Sequence, residues 1–366
     1  MAGPQVAVVG AGAWGTTLAR LVARVEPVTL LCHSPESAAR ILATGRNEAR
    51  LPGVDLPPTV VATADPSALA DATGLVILAA PSAHLRSTVE GAAALLSPEA
   101  DLLSVVKGLE RGTLLRMSQV VAEAAGVPIE RVAALSGPNL AAEVARNLPA
   151  SAVVAAGDLV LAERIVARLG RRRFRLYVNE DILGVELCGA LKNVVAIAAG
   201  AADALGFGDN GKAGLLTRGL AEMTRLGIAA GANPLTFAGL AGMGDLIATA
   251  GSHLSRNHRL GEELAKGRTW AEIEATLPGT AEGAYTVQAA LAMAERLGVE
   301  MPIAREVQRA LFEGKSVQRC LVDLLARESK DELADYGRWM ARLGERQGQD
   351  VASGSRGTGS GPRSDT

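Results

Sequence analysis

VAVVGAGAWGTTLARLV, residues 6–22, runs without interruption from an apolar β-branched stretch through three spaced glycines into an amphipathic helical pattern. Gly10, Gly12 and Gly15 form GxGxxG at the junction. In a strand–turn–helix of this kind the first glycine makes the tight turn. The second lets backbone approach a pyrophosphate, and the third lets the helix pack on the sheet; the helix N-terminus supplies free N–H groups and a positive dipole. A glycine-rich turn with no ligand is the plain alternative. The placement between this strand and this helix, in the first βαβ unit, favours a dinucleotide site.

The next apolar run, VTLLC (28–32), ends at His33, where an enzyme strict for NAD usually carries an acid for the ribose 2′-hydroxyl. Glu36 lies three residues further on, too far past the strand to be the better candidate. His33 tolerates a 2′-phosphate, which leans the cofactor toward NADP or use of both NAD and NADP. Six more short runs follow: TVVAT (59–63), LVILAA (75–80), LLSVV (102–106), VAAL (132–135), AVVAA (152–156) and FRLYV (174–178). Several are apolar throughout, as parallel strands covered on both faces are. The expectation is an α/β fold with an N-terminal Rossmann-type doubly wound sheet over residues 1–180.

Beyond Asn179 the strand signals stop. Helical patterns follow at 181–205, 212–230, 256–266, 269–276, 284–297, 302–312 and 329–342, with Asn179, Ser255 and Thr269 as candidate caps and Gly298 as a candidate stop. An all-helical substrate and catalytic domain is expected over 181–342. The Gly/Ser-rich segment 343–366 is expected to be a disordered tail without function.

The 366 residues are 48% apolar, enough for two ordinary domains, and 37 basic side chains against 39 acidic ones leave a formal charge of −2. That balance offers no field for a polyanion, so nucleic acid is not an expected partner. Cys32, Cys188 and Cys320 are odd in number and widely spaced, which argues against disulfides or a cysteine zinc site and fits a reducing cytoplasm. The N-terminal residues lack a secretory pattern. The longest uncharged run, Leu226 to Gly244, is broken by glycines, Asn233 and Pro234, so no membrane insertion is expected.

GALKNVVAIAAGAADAL (189–205) holds one lysine in an otherwise apolar helical pattern. Lys192 shares its face with Cys188, Gly189, Val195, Ala196 and Ala199, small or apolar neighbours that admit a substrate or cofactor ring. Burial disfavours the ammonium; a fall of roughly three units from about 10.4, worth about 4 kcal/mol, would make it a base useful near neutrality. The other reading is a side chain that snorkels to the surface. Composition leaves the two even, with Asn193 favouring a polar pocket slightly.

In HLSRNHRLGEELAKG (253–267), Ser255 is a plausible N-cap that puts Arg256 and Asn257 in a first helical turn, a natural seat for a phosphate. An arginine there opposes the helix dipole unless an anion is near. Lys107 follows the strand LLSVV, at the sheet edge where ligands of open α/β sheets bind; strand-end lysines are as often merely solvated. Gly137-Pro138 marks a sharp turn that structure alone would also explain. Trp14 either packs or shields the cofactor, and the shielding role is the one expected inside the phosphate loop. His84, His253 and His258 show no metal-ligand spacing and are expected at the surface or behind the site's own residues, so no metal is expected.

The segments GAGAWGTTLA (10–19), SVVKGLE (104–110), LSGPNLAAEVA (135–145), ELCGALKNVVAIAAGAADALGFGDNGKAGLLTRGLAEMTRLG (186–227) and GLAGMGDLIATAGSHLSRNHRLG (239–261) together resemble bacterial NAD(P)-dependent glycerol-3-phosphate dehydrogenase, in order and over about residues 5 to 340. The resemblance implies a helical C-terminal domain of the 6-phosphogluconate dehydrogenase-like type. It also implies interconversion of sn-glycerol 3-phosphate and dihydroxyacetone phosphate for phospholipid synthesis. By the same matching Lys192 is the proton acceptor. Lys107, Gly137, Asn139, Asp245 (in the turn GMGDL), Ser255, Arg256 and Asn257 line the substrate site, and Ala13, Trp14, His33, Lys107, Ala141, Arg256, Thr280 and Glu282 touch the cofactor. Position 139 is usually serine or threonine in that family and position 280 aliphatic, so both contacts depart from the pattern. The partner implied is a small phosphate ester; a homodimer is left open. Among rivals of similar layout, such as dehydrogenases of the 6-phosphogluconate or 3-hydroxyisobutyrate type, Ser255-Arg256-Asn257 speaks for a small phosphate ester and against a plain hydroxy acid, and a nucleotide-sensing binding module has no need of Lys192, Lys107 and Asp245 together.

Overall fold

The computed structural model describes residues 4–277 and 279–328. Eight strands form one sheet: β1 (Val6–Val9), β2 (Val28–Leu31), β3 (Val60–Thr63), β4 (Leu75–Leu78), β5 (Asp101–Ser104), β6 (Val132–Ser136), β7 (Ala150–Ala155) and β8 (Phe174–Asn179), in spatial order 3-2-1-4-5-6-7-8. Around it lie α1 (Ala13–Val22), α2 (Pro35–Thr44), α3 (Leu85–Ala92), α4 (Met117–Ala125), α5 (Ala141–Ala145) and α6 (Leu159–Leu169). β1 and β4 are buried along their whole length, which is why they read as unbroken apolar runs. Every expected strand is present.

The parallel expectation holds from β3 through β6 and fails at β7. β6 and β7 pair antiparallel, with Leu135 opposite Val154, and β8 then runs parallel to β7. The reason lies in the connection. A parallel crossover needs a helix long enough to carry the chain back to the starting edge, and α5 has five residues, about 7.5 Å of helix. The chain re-enters the sheet from the edge it has just left.

The second half is helical: α7 (Ile182–Ala204), α8 (Gly208–Ala230), α9 (Pro234–Ala238), α10 (Asp245–Gly251), α11 (Arg256–Ala265), α12 (Trp270–Glu274), α13 (Glu282–Arg296), α14 (Pro302–Phe312) and α15 (Val317–Leu325). α7 is apolar on nearly every side because neighbours cover nearly every side. By length and composition it could cross a bilayer, yet 89% of its most apolar window is buried within the fold. α11 meets it backbone to backbone: a Cβ on Gly261 would stand 1.9 Å from the Ile197 carbonyl oxygen, and one on Gly200 1.9 Å from that of His258. Residues up to Leu324 form one compact unit.

Several local expectations need correction. Asp181, not Asn179, caps α7, accepting from the Gly184 N–H at 2.9 Å, while the Asn179 side chain accepts from the Asp181 N–H. GMGDL is not a simple turn: Leu240–Gly244 make a π-helical turn and Asp245 is the first residue of α10. The segment 269–276 is helical only over Trp270–Glu274, whereas α8 starts four residues earlier than its pattern and α15 has no counterpart in the sequence reading. Ser255 and Thr269 cap as expected, and Gly298 at φ 65° closes α13 with the Val299 N–H bonded to the Ala294 carbonyl. The expected helix 329–342 and the tail 343–366 lie outside the described residues.

Glu186 couples the two halves. Buried on α7, it accepts from the Ser118 N–H (2.7 Å), the Ser118 hydroxyl (2.6 Å) and Arg116 Nη1 (2.5 Å) at the start of α4. Glu186→Ala removes three charge-assisted bonds and leaves buried donors unpaired, so unfolding stability is expected to drop by about 3 kcal/mol. A urea midpoint equal to that of the wild type would show the contact to be idle.

Candidate active site

Because β1 to β6 run parallel, their carboxyl ends share one edge, and the first turns of α10, α11 and α13 bring side chains to it. Lys107 stands beyond β5 and Gly137 beyond β6. Lys107 Nζ donates to the Gly137 carbonyl at 3.0 Å and to Asp245 Oδ2 at 2.5 Å. The other oxygen of the same carboxylate, Asp245 Oδ1, accepts from Lys192 Nζ at 2.9 Å. Thr249, one turn further along α10, accepts from Lys192 at 2.5 Å and donates to Asp245 Oδ1 at 3.1 Å. Lys192, Asp245 and Thr249 are 6%, 2% and 5% exposed. The ammonium of Lys192 therefore stays inside, and of the two readings of this lysine the snorkelling one does not describe the fold.

Burial, with help from the positive charges of Lys107 and Arg256, outweighs the attraction of Asp245 and brings Lys192 down to about 8. Burial alone would raise the carboxyl of Asp245, but the two ammonium groups more than offset it and hold it below its ordinary value. One carboxylate between two ammonium groups leaves the cluster net positive, a suitable setting for a small anion.

Gly189, one helical turn before Lys192, is small for a reason: a Cβ there would lie 2.6 Å from the Ser136 hydroxyl and 3.3 Å from the Lys107 side chain. That Ser136 hydroxyl has no hydrogen-bond partner, and both polar atoms of the Asn139 amide are buried without one. Buried polar groups are nearly always paired, so the amide at 139 suits a ligand contact.

The phosphate loop has the shape its glycines predict. Gly10 sits at φ 111°, and a Cβ there would lie 2.9 Å from the Ala79 carbonyl carbon; one on Gly15 would lie 2.0 Å from the Gly10 oxygen. A Cβ on Gly12 would meet nothing within 4 Å, which leaves open space for a pyrophosphate beside the uncapped start of α1. Ala13 and Trp14 begin that helix. The Trp14 indole packs edge-on against Phe174, ring centroids 6.1 Å apart, a contact that serves packing. His33 is exposed just past β2, and Glu36 is exposed in the first turn of α2. Ala141 opens α5, its carbonyl accepting from Thr17 at 3.2 Å.

Arg256 opens α11 behind the Ser255 cap, its Nη1 close enough to Gly279 that a Cβ there would stand at 2.5 Å. Surrounding protein strips part of its hydration and lowers its guanidinium, with Glu282 opposing the fall. Glu282, at the start of α13, accepts from the hydroxyl and the N–H of Ser82 beyond β4, and burial raises its carboxyl. Thr280 is half-buried in the loop before α13. Asn257 is turned inward: its amide donates to Asn193 at 2.8 Å and accepts from the Gly283 N–H at 3.0 Å, tying α7, α11 and α13 together. The fold thus brings Lys107, Gly137, Lys192 and Asp245 into one cluster, while the amide of Asn257 is engaged between helices. Thr249 and Ser82 were missed by sequence reading. The signal for Thr249 was the i, i+4 spacing to Asp245, meaningful only once 245–251 is a helix.

Comparison with known proteins agrees with this geometry. Residues 5–162 match the family model for the NAD-dependent glycerol-3-phosphate dehydrogenase N-terminus, and residues 181–322 match that for its C-terminus. A glycerol-3-phosphate dehydrogenase (NAD(P)+) of Frankia casuarinae is 45% identical over 329 residues, 90% of this chain and 98% of that one. Its counterpart from a Parafrankia species is 47% identical over 330 residues, 90% of this chain and 98% of that one. The crystal structure of glycerol-3-phosphate dehydrogenase from Coxiella burnetii superposes with a TM-score of 0.83 at 37% identity, covering 88% of this chain and 98% of that one. With both halves matched in order along nearly its whole described length, the chain belongs to the NAD-dependent glycerol-3-phosphate dehydrogenase family.

Proposed function

We propose that the protein interconverts sn-glycerol 3-phosphate and dihydroxyacetone phosphate with NAD or NADP, residues 1–180 holding the dinucleotide and residues 181–342 the substrate. The observation that carries the reading is the buried Lys192–Asp245–Lys107 cluster at the sheet edge that also bears the glycine loop. The bound nicotinamide supplies the hydride acceptor for oxidation and the hydride donor for reduction. In oxidation, neutral Lys192 takes the proton from the C2 hydroxyl as the C2–H bond breaks. In reduction, its ammonium hands a proton to the C2 oxygen, so one amine serves both directions.

The remaining residues bind and orient. Asp245 fixes the Lys192 amine with Thr249, and Lys107 and the Asn139 amide hold the triose oxygens near it. Arg256 and the α11 N-terminus, capped by Ser255, take the phosphate, with Gly137 and Asn257 shaping the walls. Gly10, Gly12, Ala13, Trp14, Gly15, Ala141, Thr280 and Glu282 surround the dinucleotide. His33, exposed where an acid would select NAD, favours NADPH. We further infer that the reaction runs in the cytoplasm toward glycerol 3-phosphate for phospholipid synthesis. A homodimer is compatible with this reading, and sedimentation reads it directly.

The test is reduction of dihydroxyacetone phosphate followed by NADPH and NADH absorbance, beside unphosphorylated dihydroxyacetone. The expected result is turnover with the phosphate ester, faster with NADPH. Arg256→Ala is expected to lower kcat/KM for the ester by about 10²-fold, the worth of a charged hydrogen-bonded contact, and to lower the weak unphosphorylated reaction far less. No turnover of the phosphate ester would overturn the proposal.

A further inference from the structure

Three side chains that the dehydrogenase reading does not use meet beside α11. His258 and Glu262 lie four residues apart on one face of that helix, and His253 projects from the Ser252–Ser255 segment before it. His253 Nδ1 and His258 Nδ1 each stand 3.5 Å from Glu262 Oε1. One ligand atom from each of the three residues falls within 4.8 Å of the others. The two imidazoles are perpendicular, ring centroids 5.6 Å apart.

Two features separate this group from a chance ion network. His258 is 1% exposed, and its Nδ1 is buried without a hydrogen-bond partner. Its other nitrogen, Nε2, is 2.7 Å from Asp203 Oδ2, a carboxylate also held by Lys212 at 2.6 Å. An imidazole that donates from Nε2 to a carboxylate keeps an Nδ1 lone pair free, which is how metal-binding histidines are held in their ligating tautomer.

We propose that His253, His258 and Glu262 bind one zinc-class divalent cation, through the two Nδ1 atoms and a Glu262 oxygen. Two nitrogens and a carboxylate oxygen form a donor set for zinc rather than for magnesium or calcium, which prefer oxygen alone. Ligands about 2.0–2.2 Å from zinc sit roughly 3.3 Å apart across a tetrahedral angle, close to the two 3.5 Å separations here. The His253 side chain, 86% exposed, is free to make the small closure and leaves a fourth position to water. The ion ties the segment joining α10, which carries Asp245 and Thr249, to α11, which carries Arg256. The three cysteines are buried and do not compete for it.

The test uses the tag-free full chain, stripped with chelator and titrated calorimetrically with zinc chloride above the ordinary imidazole range of pH. Wild type is expected to take one ion per chain, and zinc to raise its thermal midpoint. His253→Ala and Glu262→Gln, both at partly exposed positions, are expected to weaken binding at least about tenfold and to abolish the zinc-dependent rise. His258→Ala is avoided because it would empty a buried position beside Asp203. Wild type that takes up no zinc, or variants that bind it as tightly as wild type, would overturn the proposal.

Discussion

Lys192→Met is expected to lower kcat by about 10²–10⁴-fold in both directions while leaving the protein folded and able to bind its dinucleotide. Methionine fills much of the same volume without a charge, so the variant sheds the desolvation cost of a buried ammonium. Asp245 keeps Lys107 at 2.5 Å and the Thr249 hydroxyl at 3.1 Å, and is not stranded. The thermal midpoint should therefore stay level or rise as turnover collapses. A loss of activity that tracks a loss of folded protein would give Lys192 a structural role instead. Lys192→Ala extends the test: an added small primary amine should restore part of the rate if the missing function is a proton carrier.

Asp245 presents the opposite balance. It pairs with two buried or half-buried lysines from a position that is itself 2% exposed. Asp245→Ala leaves both ammonium groups facing one another, and breaking a buried pair in this way costs about 3–5 kcal/mol. Asp245→Asn keeps the shape and is the more informative change. The Asp245 charge is what holds Lys192 up against burial, so its removal moves the lysine below about 8. Reduction needs protonated Lys192, and its kcat falls as pH rises through the lysine's titration; oxidation needs the neutral amine and rises. In the Asn variant both midpoints should move to lower pH, a displacement that a purely structural role for Asp245 would not produce.

Much of this arrangement was legible from the sequence because the signals are local. GxGxxG needs only the strand before it and the helix after it, and the glycines' roles follow from two close backbone approaches, at Gly10 and Gly15, and the open space beside Gly12. Strands buried on both faces, such as β1, β4 and β6, announce themselves as apolar runs; the half-exposed β8 was legible as a short β-branched and aromatic run instead. The reversal at β7 escaped because it depends on how short α5 is, and an AAEVA stretch gives no hint that its helix will stop after five residues. Asp245 looked like a turn residue because glycines crowd the segment before it; the π turn over Leu240–Gly244 absorbs them and delivers the carboxylate on a helix start. Thr249 became readable only with that helix in place.

Contacts between distant segments carried no local signal at all. Glu186 with Ser118 and Glu282 with Ser82 each join the helical half to the sheet, and nothing near either acid in the sequence names its partner. Asn257 shows the same limit from the other side. Its position in a first helical turn suggested a phosphate contact, whereas packing against α7 and α13 engages its amide with Asn193 and Gly283.

The central claim is that a buried amine, brought within reach of neutrality by its surroundings, moves the reaction's proton. NMR titration of protein labelled at the lysine side chains reads this directly, with the Lys192→Met spectrum identifying the resonance. The account predicts that Lys192 titrates near 8, well below the ordinary lysine value, and that its midpoint coincides with that of the kcat–pH profile. A Lys192 that titrates at the ordinary lysine value, or a profile indifferent to its protonation, would contradict it.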